Sequence, residues 1–166
     1  MSIEKMPWEP PGRNHLTGYG GREKLGHSDY LGVNMSDDTR WVQRFSNYRK
    51  ALTLLEAAAL IQMPSHIETE GMIKRFEYTF ELAWKTLQDY LSEMGFKDFA
   101  GPRDTLKLAF ANGVITDGQA WMDMIQARNL SSHTYDIKTA KKLEADIRNL
   151  FLARFIELRS YLANKL

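Results

Sequence analysis

The sequence predicts an all-α protein: an antiparallel, up-and-down four-helix bundle with one short extra helix, preceded by a flexible N-terminal arm. Three observations predict it. From Arg40 onward, apolar residues recur at steps of three and four, the period of a helix that buries one face. No segment sustains the alternation of a half-buried strand. The links between the periodic stretches are short and carry Gly, Pro, Asn or Asp, which favours antiparallel neighbours.

Residues 1–38 are read as the arm and residues 39–166 as the bundle. The stretch PWEPPGRNHLTGYGGREKLGHSDYLG is rich in Gly and Pro and carries neither period, so it is expected to be irregular. Its Gly18, Gly20, Gly21 and Gly26 do not make a phosphate-binding loop, since no apolar strand precedes them and no capped helix follows directly. Met35 opens MSDDTRW, in which Ser36 or Asp37 is placed to cap the next helix, so translation from Met35 is an alternative that the N-terminal mass of the native protein tests.

The first helix carries Trp41, Phe45, Tyr48, Leu52, Leu55 and Ala59 on one stripe and is expected to end near Met63-Pro64, because proline cannot continue it. A second follows through Ile73, Phe76, Phe80, Ala83, Leu87, Tyr90 and Met94, with Trp84 and Leu91 broadening its buried face and Gly95 as its stop. The segment GFKDFAGPRD turns the chain into a short helix from about Thr105 to Ala111 that ends at Asn112-Gly113. Asp117 then caps a helix through Trp121, Met124, Ile125 and Arg128. After Asp136, itself a suitable N-cap, a long last helix presents Leu143, Ile147, Phe151, Phe155, Leu158 and Leu162.

Composition narrows the function. The 166 residues are 43% apolar, enough for one core, and no apolar run approaches the roughly 18 residues of a membrane span. The expectation is a soluble, cytoplasmic protein. With no cysteine, disulfides, thiolate zinc sites and cysteine nucleophiles are all excluded. Lys and Arg number 22 against 21 Asp and Glu, which disfavours strong sequence-independent nucleic-acid binding but leaves room for a small local RNA contact. His15, His27 and His66 lie in the arm or a loop and form no ligand pair, so no metal site is expected from this chain alone. The aromatic residues Trp41, Phe76, Phe80, Trp84 and Trp121 read as core rather than as a base-stacking platform.

The chemistry-bearing stretch is RNLSSHTYD, Arg128 to Asp136. If the preceding helix runs on, Asn129 and His133 share a face one turn apart, with Arg128, Ser132 and Tyr135 on the neighbouring strip. Arginine brings a permanent cation with forked donors that suit phosphate oxygens, and histidine exchanges a proton near neutral pH. Asn129 can orient either. Tyr135 has a hydroxyl able to accept a transferred group if a partner supplies metal and nucleotide. The plainer reading is a polar helix end, in which Arg128 complements the helix dipole and Asp136 caps the next helix. Glu77, Glu81 and Lys85 are spaced at four and read as a solvated face, although Glu77 shares a strip with Trp84 and Leu91 and could pair with Arg128.

Three blocks in order, RFEYTFELAWKTLQDYL, GPRDTLKLAFANGVI and WMDMIQARNLSSHTYD, resemble the nucleotidyltransferase substrate-binding protein family, an all-helical branch of the HEPN group, over about residues 40 to 165. The shared word is Arg, a polar residue, a few more positions, then His, any residue and Tyr, here Arg128, Asn129, His133, Thr134 and Tyr135. The resemblance implies a homodimeric bundle that assembles with a separate minimal nucleotidyltransferase, with no cofactor of its own and with ATP and Mg²⁺ reaching it through that partner. It implies one of two roles. Either the chain is the substrate-binding or accessory subunit, in a two-gene module of toxin-antitoxin type, or it is a metal-independent endoribonuclease toxin. In the second role Arg128 holds the scissile phosphate, His133 moves the proton, Asn129 orients, and AMP transfer to Tyr135 silences the chain. A plain helical dimerisation module is the third alternative.

Overall fold

The structure, a computed structural model, describes residues 40–166. The arm, its glycines, His15, His27 and the Ser36 or Asp37 cap lie outside the described residues. Six helices follow in order: α1 (Arg40–Ala59), α2 (His66–Glu93), α3 (Gly101–Ala111), α4 (Gly118–Leu130), α5 (Ile137–Asp146) and α6 (Leu152–Ala163). A 3-10 turn (Ser131–His133) follows α4, and a π-helical segment (Ile147–Phe151) joins α5 to α6 in one continuous rod. Among the described residues there is no strand.

Ring and side-chain contacts fix the directions. Trp41 at the start of α1 meets Tyr90 at the end of α2, with ring centroids 5.2 Å apart, so these two helices are antiparallel. Along the final rod Thr69 meets Glu144 at 3.2 Å, Phe76 meets Phe151 at 5.4 Å and Tyr90 meets Tyr161 at 6.3 Å, so α2 and the rod are the parallel diagonal pair. Helix α4 runs against both, since Trp121 packs on Phe155 while Arg128 reaches back to Glu81. The result is the up-down-up-down bundle the periodicity predicts, with α3 as the short extra helix.

The expected stripes are buried except that Trp84 and Ile125 are half-buried and that two helix ends differ. Ala58 rather than Ala59 closes the buried face of α1, and Met94 is half exposed at the end of α2. Tyr48, fully buried, donates its hydroxyl to the Phe155 carbonyl at 2.7 Å. Burial pushes its phenol well up, and the neighbouring Arg159 charge only partly offsets that, so it stays a neutral donor.

Helix α1 stops at Ala59, four residues before the expected Met63 boundary. Its end is capped by Arg148 from the π segment, whose guanidinium donates to the Ala59 carbonyl and, at 2.8 Å, to that of Ile61, while its Nε holds Glu144 at 3.0 Å. A side chain from 87 residues away thus meets the carbonyls a helix end leaves orphaned. Arg148→Ala is expected to destabilise the bundle by about 1.5–3 kcal/mol, the range for hydrogen bonds to a charged group. Urea unfolding checks this, with Arg148→Lys recovering only part because it lacks the fork.

Ser65 starts α2 with a capping box: Glu68 N–H donates to its hydroxyl at 3.3 Å, and its own N–H donates to the Glu68 carboxylate at 2.7 Å. His66 therefore opens the helix rather than sitting in a loop. Gly95, at φ +93°, closes α2, with Phe96 N–H reaching the Leu91 carbonyl at 3.1 Å. Helix α3 begins at Gly101, four residues before the expected Thr105, because Pro102 is tolerated in the first turn where its missing N–H costs nothing.

Candidate functional site

The polar stretch after α4 differs from a helix that simply runs on. The α-helix ends at Leu130 and tightens into the 3-10 turn, so Asn129 and His133 are not stacked one α-turn apart. The two serines explain the change: Ser131 Oγ donates to the Arg128 carbonyl at 2.6 Å and Ser132 Oγ to the Asn129 carbonyl at 3.3 Å, supplying partners that would otherwise come from further helix.

Asp136 then starts α5. Its carboxylate accepts from the Thr139 hydroxyl at 2.6 Å and the Thr139 N–H at 3.1 Å. Those bonds hold its carboxyl below the ordinary value. A lowered folded-state value means the cap stabilises fully above the unfolded carboxylate range of about 4 and loses that contribution as pH falls through the folded value. Asp136→Ala is therefore expected to lower the melting temperature at pH 7, with the gap from wild type closing in melts run toward pH 3.

Arg128 and Asn129 face an open cleft of about 460 Å³ between α2 and the end of α4, whose α2 wall is Lys74, Glu77, Tyr78 and Glu81 and whose floor includes Ser131 and Ser132. Arg128 donates through Nε to Glu81 Oε1 at 3.2 Å, not to Glu77. Glu81 is the hub of this wall, because its other oxygen accepts from Trp84 Nε1 at 3.1 Å and lies 3.6 Å from Lys85. Glu77 instead takes the Lys74 ammonium at 2.6 Å. Partial burial pushes the Glu77 carboxyl up, but the Lys74 and Ser131 hydrogen bonds and the charges of Lys74 and Arg128 together hold it below its ordinary value. The cleft thus sets two carboxylates beside two cations, and an incoming anion must compete with Glu81 for Arg128.

His133 and Tyr135 form a second, adjacent pair. His133 Nδ1 lies 3.2 Å from the Tyr135 hydroxyl, with the rings edge to face at 5.8 Å. Tyr135 is 76% exposed, and His133 is exposed as well. Neither lines the Arg128 cleft. The five residues singled out in the sequence therefore fall into two groups: Arg128, Asn129 and Glu77 around the cleft, and His133 with Tyr135 at its edge of the chain. Sequence reasoning missed Glu81. Its i, i+4 spacing to Lys85 suggested a solvated face, and only the tertiary approach of α4 makes it the arginine's anchor. Trp84 was placed in the core but is half-buried, with its indole N–H used on Glu81.

Among the described residues no group of three or more His, Asp or Glu side chains converges as a metal site, and no helix is long and apolar enough to cross a membrane.

The comparisons with known proteins bear on this geometry. The family described as nucleotidyltransferase substrate binding protein like matches residues 43–164. A Haemophilus influenzae protein named "Probable ribonuclease HepT" is 31% identical over 86 residues, 49% of this chain and 59% of that protein, so the chain spans well under the whole length of that relative. A Thermus thermophilus protein of known crystal structure superposes with a TM-score of 0.61 at 32% identity, covering 71% of this chain and 97% of that one. A second Haemophilus influenzae structure, described as revealing the fold of a substrate binding domain of a nucleotidyltransferase, gives a TM-score of 0.52 at 26% identity over 74% of this chain and 96% of the other.

Proposed function

We propose, from the premise that this chain belongs to the nucleotidyltransferase substrate binding protein like family, that it is the substrate-binding or accessory subunit of a separate minimal nucleotidyltransferase. The chain pairs as a homodimer and presents Tyr135 to the partner's nucleotide, in a two-gene module of toxin-antitoxin type. One observation carries the reading: an exposed phenol hydroxyl stands 3.2 Å from an imidazole nitrogen at the end of a cation-bearing helix. A tyrosine at the surface has no packing reason to be held there, and an imidazole acceptor is what a phenol needs to become a nucleophile.

In this reading Tyr135 Oη bonds to the α-phosphorus of ATP, the bond from that phosphorus to pyrophosphate breaks, and His133 Nδ1 takes the phenolic proton. ATP and Mg²⁺ come with the partner, and the chain brings no cofactor of its own. Arg128 and Asn129 offer donors for phosphate oxygens in the adjoining cleft, with Glu81 setting the position of the cation. The test is to mix the purified chain with a minimal nucleotidyltransferase encoded beside it, ATP and Mg²⁺. Co-elution and the added mass of one adenylyl group are expected; a partner that neither binds nor modifies the chain overturns the reading.

The likeness to the protein named as a ribonuclease favours a second reading, a metal-independent endoribonuclease toxin that AMP transfer to Tyr135 silences. Arg128 then holds the scissile phosphate of RNA, His133 moves the proton and Asn129 orients, with a second copy completing the clamp. Expressing the chain alone should arrest growth, and Arg128→Ala or His133→Ala should relieve the arrest. No arrest and no RNA cleavage by the wild-type chain would end this reading. The tie between Arg128 and Glu81 in the single chain favours the accessory role.

A further inference from the structure

At the other end of α4 from Arg128 lies a groove that the function above does not use. Its floor is Leu106 and Met122, and one wall is Phe110, 53% exposed at the end of α3. Phe110 rests on the first turn of α4 although it faces solvent: a Cβ at Gly118 would stand 3.1 Å from its ring, so the glycine lets the aromatic face sit close against that turn. The groove encloses about 280 Å³ and runs along two helices rather than closing over a small molecule.

Its rim is cationic. Arg103 and Lys107 stand one turn apart on α3, both exposed, and among the described residues neither has an ion-pair or hydrogen-bond partner. Elsewhere Arg40, Arg44, Lys74, Lys85, Arg128 and Arg159 hold carboxylates, while Lys50, Lys97, Lys138 and Lys141, among the described residues, hold none; what sets Arg103 and Lys107 apart is their place on the rim of an apolar groove. Arg103 is also in the first turn of α3, where the helix dipole disfavours a cation. Asp104 shares that turn and pairs with neither. Two unanswered cations, one helical turn apart, beside a preformed aromatic wall and an apolar floor, complement two carboxylates at the same spacing flanking an apolar anchor.

We propose that this groove docks an acidic peptide segment of another protein, with one apolar side chain against Phe110 and Met122 and Asp or Glu residues on Arg103 and Lys107. The site is independent of the reading of Tyr135. An aromatic anchor with flanking charge pairs is the usual composition of a segment-recognition site, in which the anchor supplies affinity and the charges supply register.

The test is selection of a random 12-residue peptide library on phage against the full chain, followed by fluorescence polarisation with the enriched peptides. Enriched sequences are expected to be net acidic with a Leu or aromatic anchor, and to lose at least tenfold in affinity on the Arg103→Glu/Lys107→Glu variant and on Phe110→Ser. Charge reversal at two exposed positions, one of them in the first turn of α3 where a carboxylate suits the helix dipole, should not lower the melting temperature or change the circular dichroism, which separates lost binding from lost folding. No enrichment, non-acidic sequences, or peptides that bind the variant undiminished would overturn the proposal. So would displacement of the peptides by millimolar inorganic phosphate or AMP, which would make the groove a small-anion site. Sedimentation provides the last arm: if Phe110→Ser dissociates an oligomer of the chain, the occupant is a second copy and the proposal is wrong.

Discussion

Tyr135→Phe is expected to abolish AMP transfer from the nucleotidyltransferase partner to this chain, leaving the mass unchanged after incubation with ATP and Mg²⁺. The substitution deletes one oxygen from a side chain that is 76% exposed, so it should leave stability within about 0.5 kcal/mol of wild type. Loss of the adduct would then report chemistry rather than folding. Only the hydroxyl can form the phosphodiester, so the effect is all or none. His133→Ala keeps the nucleophile but removes the acceptor 3.2 Å away, and it should slow transfer by about 10²–10⁴-fold, the usual contribution of a positioned general base. The two variants separate nucleophile from base. A Tyr135→Phe protein that is still modified would move the acceptor elsewhere. Tyr78, the tyrosine on the α2 wall of the cleft, is the first alternative, and Tyr78→Phe is the matching control.

How much of this was legible beforehand differs between scaffold and site. The bundle was legible because its signal is redundant: the stripes of the three long helices repeat six or seven times, and a single ambiguous residue such as Ala59 or Met94 shifts an end without changing the helix. Ends depend on single residues, and there the reading slipped. The early stop of α1 depends on Arg148, which no local pattern connects to Ala59. The start of α2 is set by the capping box of Ser65 and Glu68, a pattern the sequence carries directly after Pro64. The π segment left a trace too. Leu143, Ile147, Phe151 and Phe155 are spaced by four three times in succession, which an α-helix of 3.6 residues per turn cannot keep on one line unless a turn is widened.

For the site, residue types were legible and grouping was not. The sequence placed Arg128, Asn129, His133 and Tyr135 within one short stretch, yet the 3-10 turn separates the cleft pair from the imidazole and phenol pair. Helical spacing could not reveal that Ser131 and Ser132 would satisfy the carbonyls of Arg128 and Asn129 and so end the α-helix there. Glu81 is likewise a tertiary result. Its carboxylate is 47 residues from Arg128 in the chain, and only the antiparallel run of α2 and α4 brings them together.

Phe155→Ala should be among the most damaging single substitutions, costing about 3–5 kcal/mol by urea unfolding, as expected for truncating a buried phenylalanine. The ring is fully buried and meets three others, Trp121 of α4 at 5.5 Å, Phe76 of α2 at 6.1 Å and Tyr48 of α1 at 6.3 Å, so one cavity would touch all four long elements. Phe155→Leu keeps most of the volume and should cost clearly less than the alanine variant. The contrast between the two variants matters more than either value. If the alanine variant loses under about 1 kcal/mol, Phe155 is not the junction of the core, and the account of how α4 is anchored fails. That anchoring bears on function, because α4 carries Arg128 and Asn129 at its far end and packs on the rod through Trp121 on Phe155. The leucine variant, still folded but with a poorer seat for Trp121, should keep AMP transfer to Tyr135, since the phenol and its imidazole lie beyond the end of α4 in a turn fixed by its own hydrogen bonds.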